Sequence, residues 1–465
     1  MKLYLKQINT MNFTEQQNNA YSSFLNGENI FITGPGGCGK SYFIQQIYKM
    51  ARQEGKNIKV TSLTGCSAIL LNCRATTIHK WGCLGIGKGN ELSIYRRIIQ
   101  RKQTANYLDT DILVIDEISM LNQYLFEVLN YLCKKIRKCE LPFGGIQIVA
   151  SGDFYQLPPV CTDNDDSIHA NFCFQSSIWN DIFELENQFV FDVNFRQNED
   201  EEYFNMLQEV RCGTPSFDTI EQLVMCSTKK YDETEDDGSK PTYIYPTKKM
   251  VDKVNAQEFN NVIQEGETKT KNTRNKYSYA SGLKYAENII SDKFIKEKDV
   301  KAEYEHLLKN GMFEQKLELC ERCQVMCISN IDQEMGLVNG SQGIIIGFTT
   351  EDNKKYPIVK FDNIEQPVTI REHSWSLESN VNYCITQLPL ILSWAITIHK
   401  SQGMSIDKAV VDIGSSIFQY GQTYVALSRV KSLQGLYLTK VAAHKIKAHP
   451  EVIKFYKSLD SKKND

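Results

Sequence analysis

The stretch Asp111–Lys138, DILVIDEISMLNQYLFEVLNYLCKKIRK, decides the fold. Ile112 to Ile115 form a continuous apolar run, the pattern of a strand buried on both faces of a parallel sheet. Asp116 and Glu117 follow at its carboxyl end, where open α/β sheets bind their ligands. Behind them Leu121, Leu125, Val128, Leu132 and Ile136 recur at helical spacing and predict one apolar helix face that closes in a basic tail. One carboxylate to hold a metal and a second to activate water is the minimum chemistry of an NTP-hydrolysing motor.

Upstream, Gly34–Ser41 (GPGGCGKS) has the glycine, lysine and hydroxyl spacing of a phosphate-binding loop. Its context agrees: Asn29–Thr33 (NIFIT) reads as a short buried strand, and Phe43, Ile44, Ile47, Tyr48 and Ala51 recur at helical spacing. Gly34, Gly36, Gly37 and Gly39 let backbone N–H groups curl around phosphates, and the helix N-terminus adds a favourable dipole. Lys40 is expected to reach the β- and γ-phosphates of ATP, while Ser41 and Asp116 hold Mg2+.

A chain of 465 residues is too long for one core and should carry two to four domains. A net charge of −3 argues against a strongly basic coat but leaves room for a local basic groove. No apolar run approaches a membrane span, and MKLYLKQINTMNF has neither a secretory core nor an Arg-rich presequence character. A soluble intracellular enzyme is expected. The 14 cysteines show no disulfide-like framework and read as reduced thiols. Cys320, Cys323 and Cys327 lack a second Cys-x-x-Cys for zinc, and LELCERCQVMCIS alternates like a strand, so strand cysteines are the better reading.

Other segments add candidates. In Phe13–Ala20 (FTEQQNNA) the threonine suits a helix cap, and Gln17 sits where an amide could read an adenine edge, although an exposed helical glutamine fits equally well. Val60–Leu70 reads as a strand and a Gly-bearing turn. Thr76–Lys80 (TTIHK) offers hydroxyls, an imidazole and Lys80 for phosphate-backbone contacts, or a solvated loop. Ile146–Asp153 is another buried strand, leading to Gln156, whose amide could sense the γ-phosphate or orient water, before Pro158 and Pro159 stiffen the loop.

The second half repeats this logic without a phosphate loop. Asn194–Gln197 (NFRQ) offers Arg196, and Tyr243–Ala256 reads as strand, turn and helix. Ser393–Gly403 (SWAITIHKSQG) repeats the TIHK of Thr77–Lys80, which fits two RecA-like halves facing one strand. Gly421–Arg429 (GQTYVALSR) presents Arg429, expected to come from the second lobe and stabilise transition-state charge. Glu199–Glu202 and Asp232–Asp237 read as solvated acidic loops, and Gly266–Leu317 as irregular with helical character. Gln324–Phe361 alternates around four glycines and suggests a small β-barrel. Residues beyond Leu438 end in SKKND, read as a frayed tail.

With these residues in view, the chain resembles the Pif-type (petite integration frequency) DNA helicases of superfamily 1B, relatives of RecD-type helicases, from about Phe13 to Leu438. Glu117–Lys138 looks like that family's signature segment, and GLVNGSQGIIIGF and LPLILSWAITIHKSQGMSID are similarly diagnostic. The resemblance implies an α/β fold of two RecA-like parallel-sheet domains, with a small pin insertion in the first and an SH3-like β-barrel insertion in the second. The implied boundaries are 1–75 and 110–187 for the first domain, 76–109 for the pin, 188–260 and 383–447 for the second domain, 261–382 for its insertion and 448–465 for a C-terminal tail. It implies ATP- and Mg2+-dependent 5′-to-3′ movement on single-stranded DNA, and action on forked or tailed duplex, G-quadruplex or RNA–DNA hybrid in replication, repair, recombination or telomere maintenance. A protein monomeric in solution, associating on DNA and acting in the nucleus or another site of DNA replication, is the matching expectation.

By the same resemblance Gln17 serves adenine, Lys40 and Ser41 the phosphates and Mg2+, Asp116 and Glu117 the metal and water, and Gln156, Arg196 and Arg429 the γ-phosphate. Lys400, Gln402 and Gly403 join the nucleotide set, while Thr64, His79, Lys80, Thr397 and His399 match positions facing DNA. Asn122 stands where the family often has Asp, Arg322-Cys323 replaces a usual small pair, and no long N-terminal extension is expected. Other functions consistent with the motifs are a RecD-like motor subunit of a larger complex, a P-loop kinase or signalling NTPase, and a DNA clamp with an inactive motor.

Overall fold

Strands β1 (Ile30–Thr33), β2 (Ile58–Ser62), β3 (Thr76–Thr77), β4 (Ile112–Asp116), β5 (Gln147–Ser151) and β6 (Gln188–Val190) form a wholly parallel sheet in the order β3-β2-β4-β5-β1-β6. Every residue of β1 and β4 is buried, as a sheet covered on both faces requires. Alternation then sorts the side chains. Phe31, Leu113, Ile115 and Ile148 enter one core, and Ile30, Ile32, Val114 and Val149 enter another on the opposite face.

Helices α1 (Glu15–Leu25) and α2 (Lys40–Gln53) supply Ala20, Phe24, Phe43, Ile44 and Ile47 to the second core. On the first face lie α3 (Glu91–Gln100) and α4 (Gln123–Arg137), where the expected stripe of Leu125, Val128, Leu132 and Ile136 is buried together with the preceding Leu121. Cutting one such leucine to alanine would cost ~2–5 kcal/mol. Asn122 caps α4, its Oδ1 accepting the Leu125 N–H at 2.8 Å, so this departure from the family pattern retains a working cap. Beyond β3 the regular structure described in 78–109 is helical, and Trp81, Ile94, Ile98 and Tyr107 are buried in the same core as α4.

This computed structural model describes residues 13–461 apart from 65–66, 69–70, 72, 85–89, 160–169, 198, 232–239, 271–274, 286–300, 302–303, 306–307, 309–313, 330, 333–334, 363 and 377–382. The acidic run at Asp232–Asp237, the expected turn at Gly65, much of 266–317 and the last four residues of the terminal SKKND lie outside that set.

The chain divides into two units. The first is Met1–Glu221 with Ile417–Leu433 and Ala442–Asp465, and the second is Gln222–Ser416 with Gln434–Val441. The first unit therefore also holds α5 (Glu201–Cys212), α6 (Gln422–Leu427) and α7 (Pro450–Ser461). The segment expected to be a tail is thus a helix. Val452, Tyr456 and Leu459, at helical spacing behind Pro450, are buried in the first core.

In the second unit Ala395–Thr397, Thr242–Tyr245, Ala409–Ile413 and Leu436–Val441 form a four-stranded parallel sheet in that spatial order. Asn255, on the helix Lys248–Thr270, clamps its edge strand: Oδ1 accepts the Ala395 N–H at 2.8 Å and Nδ2 donates to the Ala395 carbonyl at 2.9 Å. An antiparallel five-stranded sheet follows, built on Gln324–Cys327, Gln342–Glu351 and Lys354–Phe361, with Val325, Ile345, Val359 and Phe361 in its core. The stretch 266–317 departs from its helical expectation: Tyr277–Ala280 pairs antiparallel with Lys316–Leu319, because the alternating YSYA and KLEL each find a partner. Cys327 lies in a strand, while Cys320 and Cys323, also buried, flank a turn at Arg322 (φ 69°). No described helix is long and apolar enough to cross a membrane.

Candidate active site

The loop after β1 is shaped by its glycines. At Gly34 (φ +142°) a Cβ would lie 2.1 Å from the Phe191 carbonyl oxygen, and at Gly37 (φ +90°) one would lie 2.6 Å from Arg196 Cβ. No other residue fits either position. Helix α2 begins at Lys40, whose Nζ donates to the carbonyls of Gly34 at 2.7 Å and Pro35 at 2.9 Å, so the ammonium sits inside the loop's curl. Ser41 is exposed on the first turn of α2. The Gly36 N–H donates to the Tyr424 hydroxyl at 2.9 Å, a contact no sequence motif announced.

Strand β5 lies between β1 and β4, so the loop, Asp116, Glu117 and the segment leading to Gln156 emerge from neighbouring strands at one edge. Burial pushes the Asp116 carboxyl up, opposed by the Ser151 hydroxyl, the Glu117 backbone and Lys40. Glu117 is pushed up to about 7 by burial and then by Asp116, with Lys40 and Arg429 pulling the other way. Its backbone is left-handed (φ 53°, ψ 42°), a strain of ~1–3 kcal/mol for a non-glycine residue. Two adjacent carboxylates both driven toward neutrality form a site that a divalent cation would relieve.

Two guanidiniums lie over the loop. Arg196 Nη1 and Arg429 Nη2 are each 3.3 Å from the point a Gly36 Cβ would occupy. Arg196 donates to the Ser428 carbonyl at 2.9 Å. Arg429, 2% exposed, donates to the Val425 carbonyl at 2.9 Å and to Ser428 Oγ at 2.8 Å. Burial and the neighbouring Arg196 push Arg429 down to about 9. Neither arginine forms an ion pair with a carboxylate among the described residues. Like charges gathered out of water suit an anion in front of them.

Arg196 and Arg429 were expected in the second domain, but both fall in the first unit, within Met1–Glu221 and Ile417–Leu433. The connection between Ala409–Ile413 and Leu436–Val441 leaves its own sheet and is held there. Tyr203 donates to the Leu427 carbonyl at 2.7 Å, Gln197 donates to the Val430 carbonyl at 3.0 Å, and a Gly421 Cβ would lie 2.3 Å from the Gln156 carbonyl oxygen.

Gln17 is buried rather than exposed. It forms a capping box with Thr14, leaves Nε2 without a partner, and lies 2.8 Å from the position of a Gly39 Cβ. An orphaned buried amide donor at the loop's edge fits a nucleobase acceptor. Gln156 is buried, its N–H bound to the Asp153 carbonyl. Thr64, His79 and Lys80 follow the paired carboxyl ends of β2 and β3 in the first unit. Thr397, His399, Lys400, Gln402 and Gly403 belong to the second unit, where Gln402 is buried with its Nε2 unpartnered. Sequence reading missed Tyr424 and Ser428 as neighbours of the loop and Ser151 as a neighbour of Asp116, although all three lie in segments it had singled out.

A P-loop α/β protein with two RecA-like sheets and antiparallel insertions is the class that this fold and loop define. Residues 12–220 match the model of PIF1-like helicases, and 304–348 match the 2B domain of the DNA helicase Pif1. The chain belongs to the PIF1-like helicase family. It is 30% identical to the ATP-dependent DNA helicase PIF1 of Candida albicans over 98% of its own length, but spans only 57% of that protein. Among solved structures it resembles the crystal structure of Pif1 helicase from Candida albicans, with TM-score 0.76, 33% identity, and coverage of 97% of this chain and 100% of that one. Bacteroides Pif1 bound to ssDNA is similar as well, with TM-score 0.63, 26% identity and coverage of 98% of each chain.

Proposed function

We propose that this chain is an ATP-dependent DNA helicase that translocates 5′-to-3′ on single-stranded DNA and unwinds tailed or forked duplex. The observation that carries the reading is the pair of guanidiniums over Gly36, Arg429 buried and Arg196 half-buried, beside a P-loop lysine and an adjacent acidic pair. In this reading the loop amides and Lys40 hold the β- and γ-phosphates, and Gln17 takes the adenine edge. Asp116 and Ser41 would hold Mg2+, which supplies charge neutralisation between the phosphates. Glu117, raised toward neutral pH, takes the proton from the attacking water, and Gln156 orients that water. Arg196 and Arg429 meet the charge that develops on the transferred phosphoryl group. Thr64, His79 and Lys80 on one sheet, and Thr397 and His399 on the other, grip the phosphate backbone of the strand, so binding is largely sequence-independent and weakens with salt. The family resemblance adds Lys400, Gln402 and Gly403 to the nucleotide set.

The names of the relatives support both ATP and DNA as partners, and the ssDNA complex of the Bacteroides protein supports the single strand as track. Strand displacement with ATP, on duplexes carrying either a 5′ or a 3′ single-stranded tail, tests motor activity and polarity together. Unwinding of the 5′-tailed duplex alone is expected; preference for the 3′ tail reverses the polarity, and absence of unwinding with intact DNA-stimulated hydrolysis reduces the protein to a translocase.

A further inference from the structure

A buried polar node lies between the phosphate-loop strand and the segment that leads to Gln156. Fully buried Asp153 takes two hydrogen bonds from Arg211, Nε to Oδ2 and Nη2 to Oδ1, each 2.9 Å. The phenol of Tyr456, on α7, donates to Asp153 Oδ1 at 3.3 Å and accepts the Phe154 N–H at 3.2 Å. Thr33 Oγ1 stands 2.5 Å from the same hydroxyl and, with the phenol proton already given to Asp153, must be the donor. One proton given and two accepted is the full capacity of a phenol. The ring is held too: Tyr155 stacks on it at 4.6 Å and 12°, and the Arg211 guanidinium lies 4.6 and 5.3 Å from the two ring centres.

These contacts span two functional segments. Thr33 immediately precedes Gly34, and Phe154 lies two residues before Gln156. We propose that Tyr456 is a positioning residue for ATP hydrolysis, its hydroxyl setting the distance between the end of the phosphate-loop strand and the Gln156 segment. This rests on the reading of the site as an ATPase. Packing alone would need only the ring; positioning needs the hydroxyl.

The test uses the full chain and the variants Tyr456→Phe, Thr33→Val, Thr33→Ser and the double variant Thr33→Val/Tyr456→Phe. Two quantities are read: kcat and KM for ATP with single-stranded DNA, well below each melting temperature, and the rise in melting temperature with Mg2+-ADP, with and without aluminium fluoride. Tyr456→Phe should lower kcat about tenfold while moving KM by no more than roughly twofold. It should keep the ADP shift and lose the added shift from aluminium fluoride, which mimics the transferring phosphoryl group. Thr33→Ser, which keeps the donor, should behave as the unmodified protein. The double variant should be no slower than the slower single, because both remove the same link. A Tyr456→Phe protein with unmodified kcat and an intact aluminium fluoride shift overturns the proposal, as does a loss of kcat and nucleotide shift that merely follows the fraction unfolded. If the unmodified chain shows neither hydrolysis nor an ADP shift, the ATPase reading falls and takes this one with it.

Discussion

Each of the two parallel sheets ends at one edge in the same turn. In the first, Thr77 caps a single helical turn by accepting the Lys80 N–H at 3.3 Å. In the second, Thr397 does so for Lys400 at 3.1 Å. Both threonines close an edge strand, β3 in one sheet and Ala395–Thr397 in the other. The sheets differ in the segments that leave their central strands. β1 runs into four glycines and Lys40, whereas Thr242–Tyr245 runs into Pro246, Thr247 and a long helix. A scaffold that presents Thr-Ile-His-Lys occurs twice, and a cradle for a terminal phosphate occurs once. Gripping a polyanion needs only a few placed donors, whereas hydrolysis needs a glycine loop, paired carboxylates and opposed guanidiniums in one place.

Arg429 gives the strongest way to break that asymmetry. Arg429→Ala should lower DNA-stimulated turnover by ~10³ to 10⁵ while leaving nucleotide and single-stranded DNA affinity largely intact. Arg429→Lys should rescue poorly, since a point charge lacks the planar fork. Turnover with and without DNA decides it, and retained stimulation would remove Arg429 from the reaction. Next in size is Glu117→Gln, expected to cut turnover ~10²-fold or more while ATP still binds. Near-normal hydrolysis would shift the base elsewhere.

The repeated turn can then be sharpened by treating its two copies alike. His79→Ala and His399→Ala should each weaken stimulation by DNA roughly tenfold, the scale of one lost charge-assisted contact, and spare basal hydrolysis. If only one variant responds, the two sheets do not share the strand. The smallest effect is expected at Asn122→Ala, which removes the α4 cap and should lower stability by ~1 kcal/mol in a denaturant titration without changing turnover per folded molecule.

The elements around Asp116 were legible because strand burial and helix periodicity are local properties. Residues 112–115 read as doubly buried and are, and the face of Leu125, Val128, Leu132 and Ile136 needed no knowledge of its partner. The phosphate loop was legible for the same reason, since its glycines and Lys40 lie within eight residues. Arg429 was expected to reach the γ-phosphate from the second lobe, whereas its segment, Ile417–Leu433, falls in the first unit. Periodicity says that a helix buries a face, not which distant segment covers it. Tyr424 caps an amide 388 positions away, and Tyr456 reaches Asp153 across 303, so neither contact leaves a trace in spacing. Gln17 was named for the adenine edge, but its local pattern also allowed an exposed side chain, and only the packed loop shows that it is buried.

The path by which 417–433 and 442–461 return to the first unit also sets a timetable for biosynthesis. The phosphate loop leaves the ribosome early, yet the hydroxyl that caps its Gly36 amide belongs to a residue 388 positions later. At ~5–20 residues per second, the loop waits roughly 20–80 s for that partner. The nascent chain passes this interval with its glycine-rich turn and the end of β1 unsealed, and the core around Trp179 lacks the helix that brings Tyr456. A chaperone-free translation reaction should therefore yield chains competent to bind nucleotide only once residues 417–461 have left the ribosome, however long the first two hundred residues have been outside it.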